Sequence, residues 1–234
     1  MDKLYVIIPA YNEEDNIDLL IRDWYPLVEK IGNDSRLVII DDGSIDSTYS
    51  KILEYSENLN MLEAISKKNG GHGATILYGY KYAIEKGADF VFQTDSDGQT
   101  LPSEFWQLWE ERNNYNMLIG NRKNRKDGLS RIMVTKVLKL VIRIYFKENI
   151  VDANTPFRLM DTSTLNNYID LIPEDYNLSN ILLTVIYSKK KIKIKFFPIT
   201  FNPRQAGVNS INMKKIFNIA KQAIKDFKVL AKTI

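Results

Sequence analysis

The chain has 234 residues, 44% hydrophobic and 26% charged, enough for the core of one compact domain with at most a small appendage. It contains no cysteine and a single histidine, His72, which excludes disulfide scaffolds, thiolate zinc sites, iron–sulfur clusters, cysteine nucleophiles and multi-histidine metal sites. The formal net charge of +3 hides an asymmetry: residues 1–120 carry 10 Lys and Arg against 21 Asp and Glu, and residues 121–234 carry 22 against 8, so the second half suits nucleic acid, an anionic membrane surface or a phosphate-bearing substrate.

In chain order, short apolar runs at 4–8, 37–41, 61–65, 90–94 and 117–120 predict buried strands, and the segments 13–31, 46–57, 73–86 and 102–112 between them carry helical spacing. Strict alternation implies βαβ crossovers, hence an α/β fold with a mostly parallel central sheet flanked by helices. The second half reads as a loop at 121–128, a long helix from Ser130 to Phe146, a strand or hairpin at 151–160, a helix near 177–187, a strand at 191–201, the turn NPRQAGVNS and a final helix. No apolar run approaches the length of a bilayer crossing and the first residues lack a cleavable secretory pattern, so a cytoplasmic location is expected.

In such sheets ligands bind beyond the carboxyl ends of the strands. Acids cluster there. Asp95 and Asp97, following the fourth strand, place two carboxylates where they could grip one Mg2+ or Mn2+ ion together with phosphate oxygens, with Gln99 adding a neutral oxygen. The same residues also suit a solvated turn with Asp97 or Thr100 capping the next helix. Asp42, ending the second strand, stands where doubly wound folds bind a nucleotide's ribose or base, and Ser44 or Asp46 could equally cap a helix. The glycine-rich Asn69–Gly73 stretch could bring bare amides to an anion, or be a plain turn; it lacks the Gly-Lys-Ser/Thr ending of an ATPase phosphate loop. His72 reads as an exposed loop residue as readily as a ligand and is given no role. Arg122, Arg131 and Arg204 are read as a phosphate clamp, with Arg125 left to solvent.

Two helices are amphipathic and basic. The one from Ser130 sets Val134, Leu138, Val141 and Tyr145 against Lys136, Lys139, Arg143 and Lys147; the last repeats the pattern with Phe227 and Leu230 against Lys221, Lys225 and Lys228. They suit solvated faces or docking on anionic lipid headgroups. Nucleic acid is not expected, because the basic faces lack interleaved aromatics and the ligand edge is acidic.

Together, VIIPAYNEEDNI, VIIDDGSIDST, the KKNGGHGATILYGYKYAIEKGADFVFQTDSDGQ block, VDANTPFRLM and RQAGVNS resemble a family 2 glycosyltransferase of the GT-A fold, closest in pattern to the dolichyl-phosphate mannosyltransferase and polyprenyl-phosphate glycosyltransferase branch. The resemblance spans roughly residues 4–210. It implies a single Rossmann-like domain over 1–210, with 1–120 as the nucleotide-sugar-binding half and 121–210 as the acceptor-binding half, followed by a basic amphipathic helix at 211–234. It further implies that Pro9, Tyr11, Glu13, Asp42, Gly73 and Asp95 bind a UDP- or GDP-sugar donor. Asp95, Asp97 and Gln99 would hold the metal, and Asp97, Arg122, Arg131 and Arg204 would carry catalysis. Asp-Ser-Asp-Gly-Gln stands where Asp-Ala-Asp-Leu-Gln is more usual, and Thr155-Pro156-Phe157 where Ser-Gly-Phe is.

The expected reaction is inverting transfer of a hexose or N-acetylhexosamine to a polyprenyl-phosphate-type lipid at the inner membrane face, an acceptor already anionic and needing no base. Transfer to a sugar hydroxyl in cell-surface polysaccharide synthesis would instead need one, with Asp152, Glu174 and Asp175 as candidates. A reading of another class is a non-catalytic nucleotide-sugar-binding subunit.

Overall fold

The computed structural model describes residues 2–122, 129–203 (129–136 as backbone alone), 224 and 226–228. The elements are β1 (Leu4–Ala10), α1 (Ile17–Ile31), β2 (Arg36–Asp41), α2 (Thr48–Ser56), β3 (Leu62–Ser66), α3 (His72–Glu85) and β4 (Phe90–Gln93). There follow a 3-10 turn (Pro102–Glu104), α4 (Phe105–Glu110), β5 (Met117–Arg122), α5 (Leu129–Phe146), β6 (Arg158–Asp161), α6 (Thr162–Tyr168), α7 (Ser179–Lys189) and β7 (Ile194–Ile199). The expected α/β class is observed: the strands form one sheet in the order β3-β2-β1-β4-β6-β5-β7.

β1 pairs in parallel with both β2 and β4, and β2 with β3; β6 runs antiparallel to β4 and β5, and β7 parallel to β5. Every strand but β6 therefore points its carboxyl end to the same edge. Period-two alternation divides the apolar residues between the two faces. Ile7, Val38, Ile40, Val91 and Ile119 pack under α3, α5, α6 and α7. Val6, Ile8, Leu37, Ile39 and Phe92 pack under α1, α2 and α4. Helix α3 lies close on β1 because Gly79 has no side chain; a Cβ there would fall 2.3 Å from Ile7 Cγ2.

Two expectations change. The segment 151–157 is not strand: the pairing begins at Arg158, since Pro156 lacks a ladder donor. The helix α6 was not expected; it is begun by Asp161, whose carboxylate accepts from the Thr164 N–H. The long α5 divides as expected where its side chains are described, with Leu138, Val141 and Tyr145 packed inward and Lys139, Arg143 and Lys147 exposed, and Val137, Leu140 and Ile144 are exposed beside those basic residues. Phe227 of the last helix packs edge-on against Phe146; most of 211–234 lies outside the described residues. No helix among the described residues is long and apolar enough to cross a membrane.

Candidate active site

The chain leaves β1 toward β2 and β3 on one side and returns through β4 on the other, so the crevice beyond β1 and β4 is the switch point where doubly wound sheets bind ligands. The ends of β5 and β7 and the start of β6 reach the same edge.

At the β1 corner the backbone is locked before any ligand arrives. Asn12 adopts φ 54, its N–H donates to Ser44 Oγ (2.9 Å), and its Oδ1 accepts from the Ile45 N–H (3.0 Å). The Glu13 N–H donates to Thr48 Oγ1 (2.8 Å). Glu13 itself is buried and its carboxylate accepts from Asn16 Nδ2. Pro9 is buried within β1 opposite Ile40. Tyr11 is the exposed member of the expected cradle, at 48%.

Asp42 is engaged by its own chain. Its carboxylate accepts from Lys67 Nζ (2.5 Å) and from the N–H groups of Gly70 and Gly71 (2.9 Å each), fastening the glycine-rich loop to the end of β2. Burial works against the charged form, but the Lys67 ammonium and the Gly70 amide outweigh it and hold the carboxyl below the usual aspartate range. With the folded-state pKa below the unfolded one, this stabilisation is complete above the ordinary aspartate pKa of about 3.9 and is lost as pH falls through the lowered value. The stability gap between wild type and Asp42→Asn, measured by denaturant unfolding, should therefore be wide near neutrality and close in acid; a gap indifferent to pH would refute the assignment.

Gly73, expected as a donor contact, also has a packing reason to be glycine. A Cβ there would sit 2.2 Å from Tyr176 O and 2.7 Å from Asn177 C, and its carbonyl accepts from Ser179 Oγ (3.1 Å). The first turn of α3 is thus wedged under the segment leading into α7.

Asp95 and Asp97 stand at the tip of β4, as expected. Asp95 Oδ1 is buried with no hydrogen-bond partner, and His72 Nε2 lies 3.6 Å from it. An acceptor in that condition at the ligand edge fits a cation or donor group. Asp97 Oδ1 accepts from the Gln99 N–H (3.2 Å). The side-chain nitrogen of Gln99 donates to Asn202 O (2.8 Å), while the Asn202 N–H donates back to Gln99 O (2.8 Å); Gln99 thereby ties the segment after β7 to the acid loop. Among the described residues no cluster of three His, Asp or Glu side chains forms, so a cation here would rely on ligand oxygens to complete its shell.

Arg122 does not present a free fork. Its Nε and Nη2 donate to Asp152 Oδ2 and Oδ1, both at 2.9 Å, in a pair almost without solvent contact, and its guanidinium lies over Phe201 at 5.1 Å. The phosphate-clamp reading of Arg122 and the base reading of Asp152 thus meet in one ion pair, in which each neutralises the other. Glu174 is exposed and pairs with Lys81 Nζ at 2.9 Å; the bond to that ammonium lowers its pKa, which makes it a weaker base. Asp175 is exposed. The Arg131 side chain and the whole of Arg204 lie outside the described residues.

Sequence reasoning missed Arg158. It is fully buried at the start of β6, and its donors reach Thr155 O (from Nε at 3.0 Å and Nη2 at 2.6 Å), Asn180 O and Thr184 Oγ1 (from Nη1 at 3.1 and 3.3 Å) and Ala153 O (from Nη2 at 3.1 Å). None of these acceptors is a carboxylate. The signal was an arginine flanked by Phe157 and Leu159 in an apolar run.

A match to Glycosyl transferase family 2 spans residues 5–169. Among solved structures, glucosyl-3-phosphoglycerate synthase from Mycobacterium tuberculosis, in complex with Mn2+, UDP and glucosyl-3-phosphoglycerate, superposes with a TM-score of 0.73 at 14% identity, covering 99% of this chain and 80% of that one. S. aureus TarS 1-349 in complex with UDP-GlcNAc superposes with a TM-score of 0.62 at 19% identity, covering 96% of this chain and 66% of that one. At these identities the likeness is one of fold.

Proposed function

The chain belongs to glycosyl transferase family 2, and on that premise we propose that it transfers a hexose or N-acetylhexosamine, with inversion, from a nucleotide-diphosphate sugar to a polyprenyl-phosphate-type lipid. The observation that carries the donor half is the pair Asp95 and Asp97 at the β1–β4 crevice, with Asp95 Oδ1 buried and unpartnered. That two structures of the same fold hold UDP or UDP-GlcNAc, one of them with Mn2+, supports it. A bound divalent ion would neutralise charge growing on the leaving diphosphate. Asp95 and Asp97 would hold it, and Tyr11 lies exposed at the neighbouring corner for the nucleoside.

The acceptor half rests on what is missing from the described edge. A sugar hydroxyl must lose a proton in the transition state, and two of the three candidate bases are already paired with a cation, Asp152 with Arg122 and Glu174 with Lys81. A lipid phosphate needs no base. The exposed face of α5, where Leu140 and Ile144 stand among Lys139, Arg143 and Lys147, favours work at an anionic membrane surface. We assign residues 1–120 to the donor and 121–210 to the acceptor.

The test is a panel of UDP- and GDP-sugars incubated with Mn2+ or with chelator, offering polyprenyl phosphate, a glycan with free hydroxyls, or no acceptor. Nucleotide diphosphate release that needs the metal and is stimulated by polyprenyl phosphate is expected. Stimulation by the glycan alone would overturn the acceptor, and donor binding without turnover under every condition would make the chain a non-catalytic subunit.

A further inference from the structure

We propose that the imidazole of His72 joins Asp95 in holding the divalent cation of this site, and that it biases the site toward a first-row transition ion over magnesium. The inference rests on the reading of Asp95 as a cation ligand. At 3.6 Å, His72 Nε2 and Asp95 Oδ1 are too far apart for a hydrogen bond. They are within the roughly 4.2 Å that two donors can span when each lies about 2.1 Å from one ion. Asp95 Oδ1 is buried and accepts no hydrogen bond, so the imidazole leaves its need unmet, as a shared ion would not.

The backbone that carries the ring is held in place from both sides. Asp42 grips the amides of Gly70 and Gly71 just before it, and Gly73 just after it is wedged against Tyr176 and Asn177. His72 therefore begins α3 at a fixed point, while its side chain, half exposed, makes no hydrogen bond to another described residue. A nitrogen donor matters chemically: magnesium takes oxygen ligands and keeps its water, whereas imidazole binds transition ions readily. The two carboxylates alone would not discriminate in this way.

Because His72 is the only histidine, any imidazole signal from the untagged full chain has one source. Mn2+ should be titrated into the protein with UDP present and followed by electron paramagnetic resonance, with a pulsed measurement for nitrogen coupling to the ion. Wild type is expected to show 14N modulation from imidazole, and His72→Ala to lose it while keeping its melting temperature. The Mn2+-to-Mg2+ affinity ratio should fall about tenfold or more in the variant. Bound Mn2+ that is lost on Asp95→Ala but shows no 14N modulation in wild type would overturn the proposal and leave the donor-site reading standing. No Mn2+ binding at all with UDP would sink both.

Discussion

Asp97→Ala is expected to reduce kcat/KM for sugar transfer by about 10³-fold or more, with the melting temperature nearly unchanged. Its carboxylate sits at the tip of β4 on a half-buried turn, so removing it uncovers little apolar surface. What it removes is negative charge at the strand edge where the metal and diphosphate would meet. Deleting one group that stabilises developing charge costs about 10²–10³-fold, and a ligand whose loss also weakens the metal costs more. The expected signature separates binding from chemistry: without metal, the variant and wild type should bind nucleotide alike; with Mn2+, only wild type should gain affinity and turn over. Asp97→Asn, which keeps the shape and the acceptor oxygen but not the charge, should recover little activity. A variant that turns over within tenfold of wild type would remove the acid pair from the mechanism.

The parts of this arrangement that were legible in the sequence are those set by local pattern. β1, β2 and β4 announce themselves by apolar runs, and the acids that follow them had to emerge at one edge once a parallel sheet was inferred. What the sequence left open is which side chains are consumed by others. Asp42 and Lys67 are 25 residues apart and meet only because β2 and β3 pair in parallel. Arg122 and Asp152 come from different sides of α5. His72 and Asp95 belong to the start of α3 and the end of β4, and no spacing rule predicts their distance. A charged residue read one at a time looks available; long-range pairing decides whether it is.

Arg158 shows that competition most sharply, and Arg158→Ala is expected to destabilise the fold by about 3 kcal/mol or more, offsetting effects included. Two terms oppose each other. A buried guanidinium without a carboxylate partner is costly, and burial lowers its pKa, so its removal recovers that desolvation. Against this, Thr155 O would lose two donors, and Ala153 O and Asn180 O one each. Thr184 Oγ1 can still donate to only one of Ala153 O (3.2 Å) and Asn180 O (2.7 Å) at a time, and Thr155 already carries a buried hydroxyl with no partner. Each buried polar group left unsatisfied costs about 1–3 kcal/mol, and truncating a side chain of this size adds a cavity. The orphaned carbonyls and the cavity together outweigh the recovered desolvation, and for a chain of this length the melting temperature should fall by roughly 6–12 °C. Arg158→Met, which fills the space but donates nothing, should fall by less than Arg158→Ala yet remain below wild type. If the methionine variant melts at or above wild type, the buried charge is a net cost to the fold. Its charge, which the carboxylates of Asp152 and Asp95 favour, would then have to be explained by the affinity for an anionic donor, which the same two variants would show as weakened nucleotide binding at temperatures where both are folded.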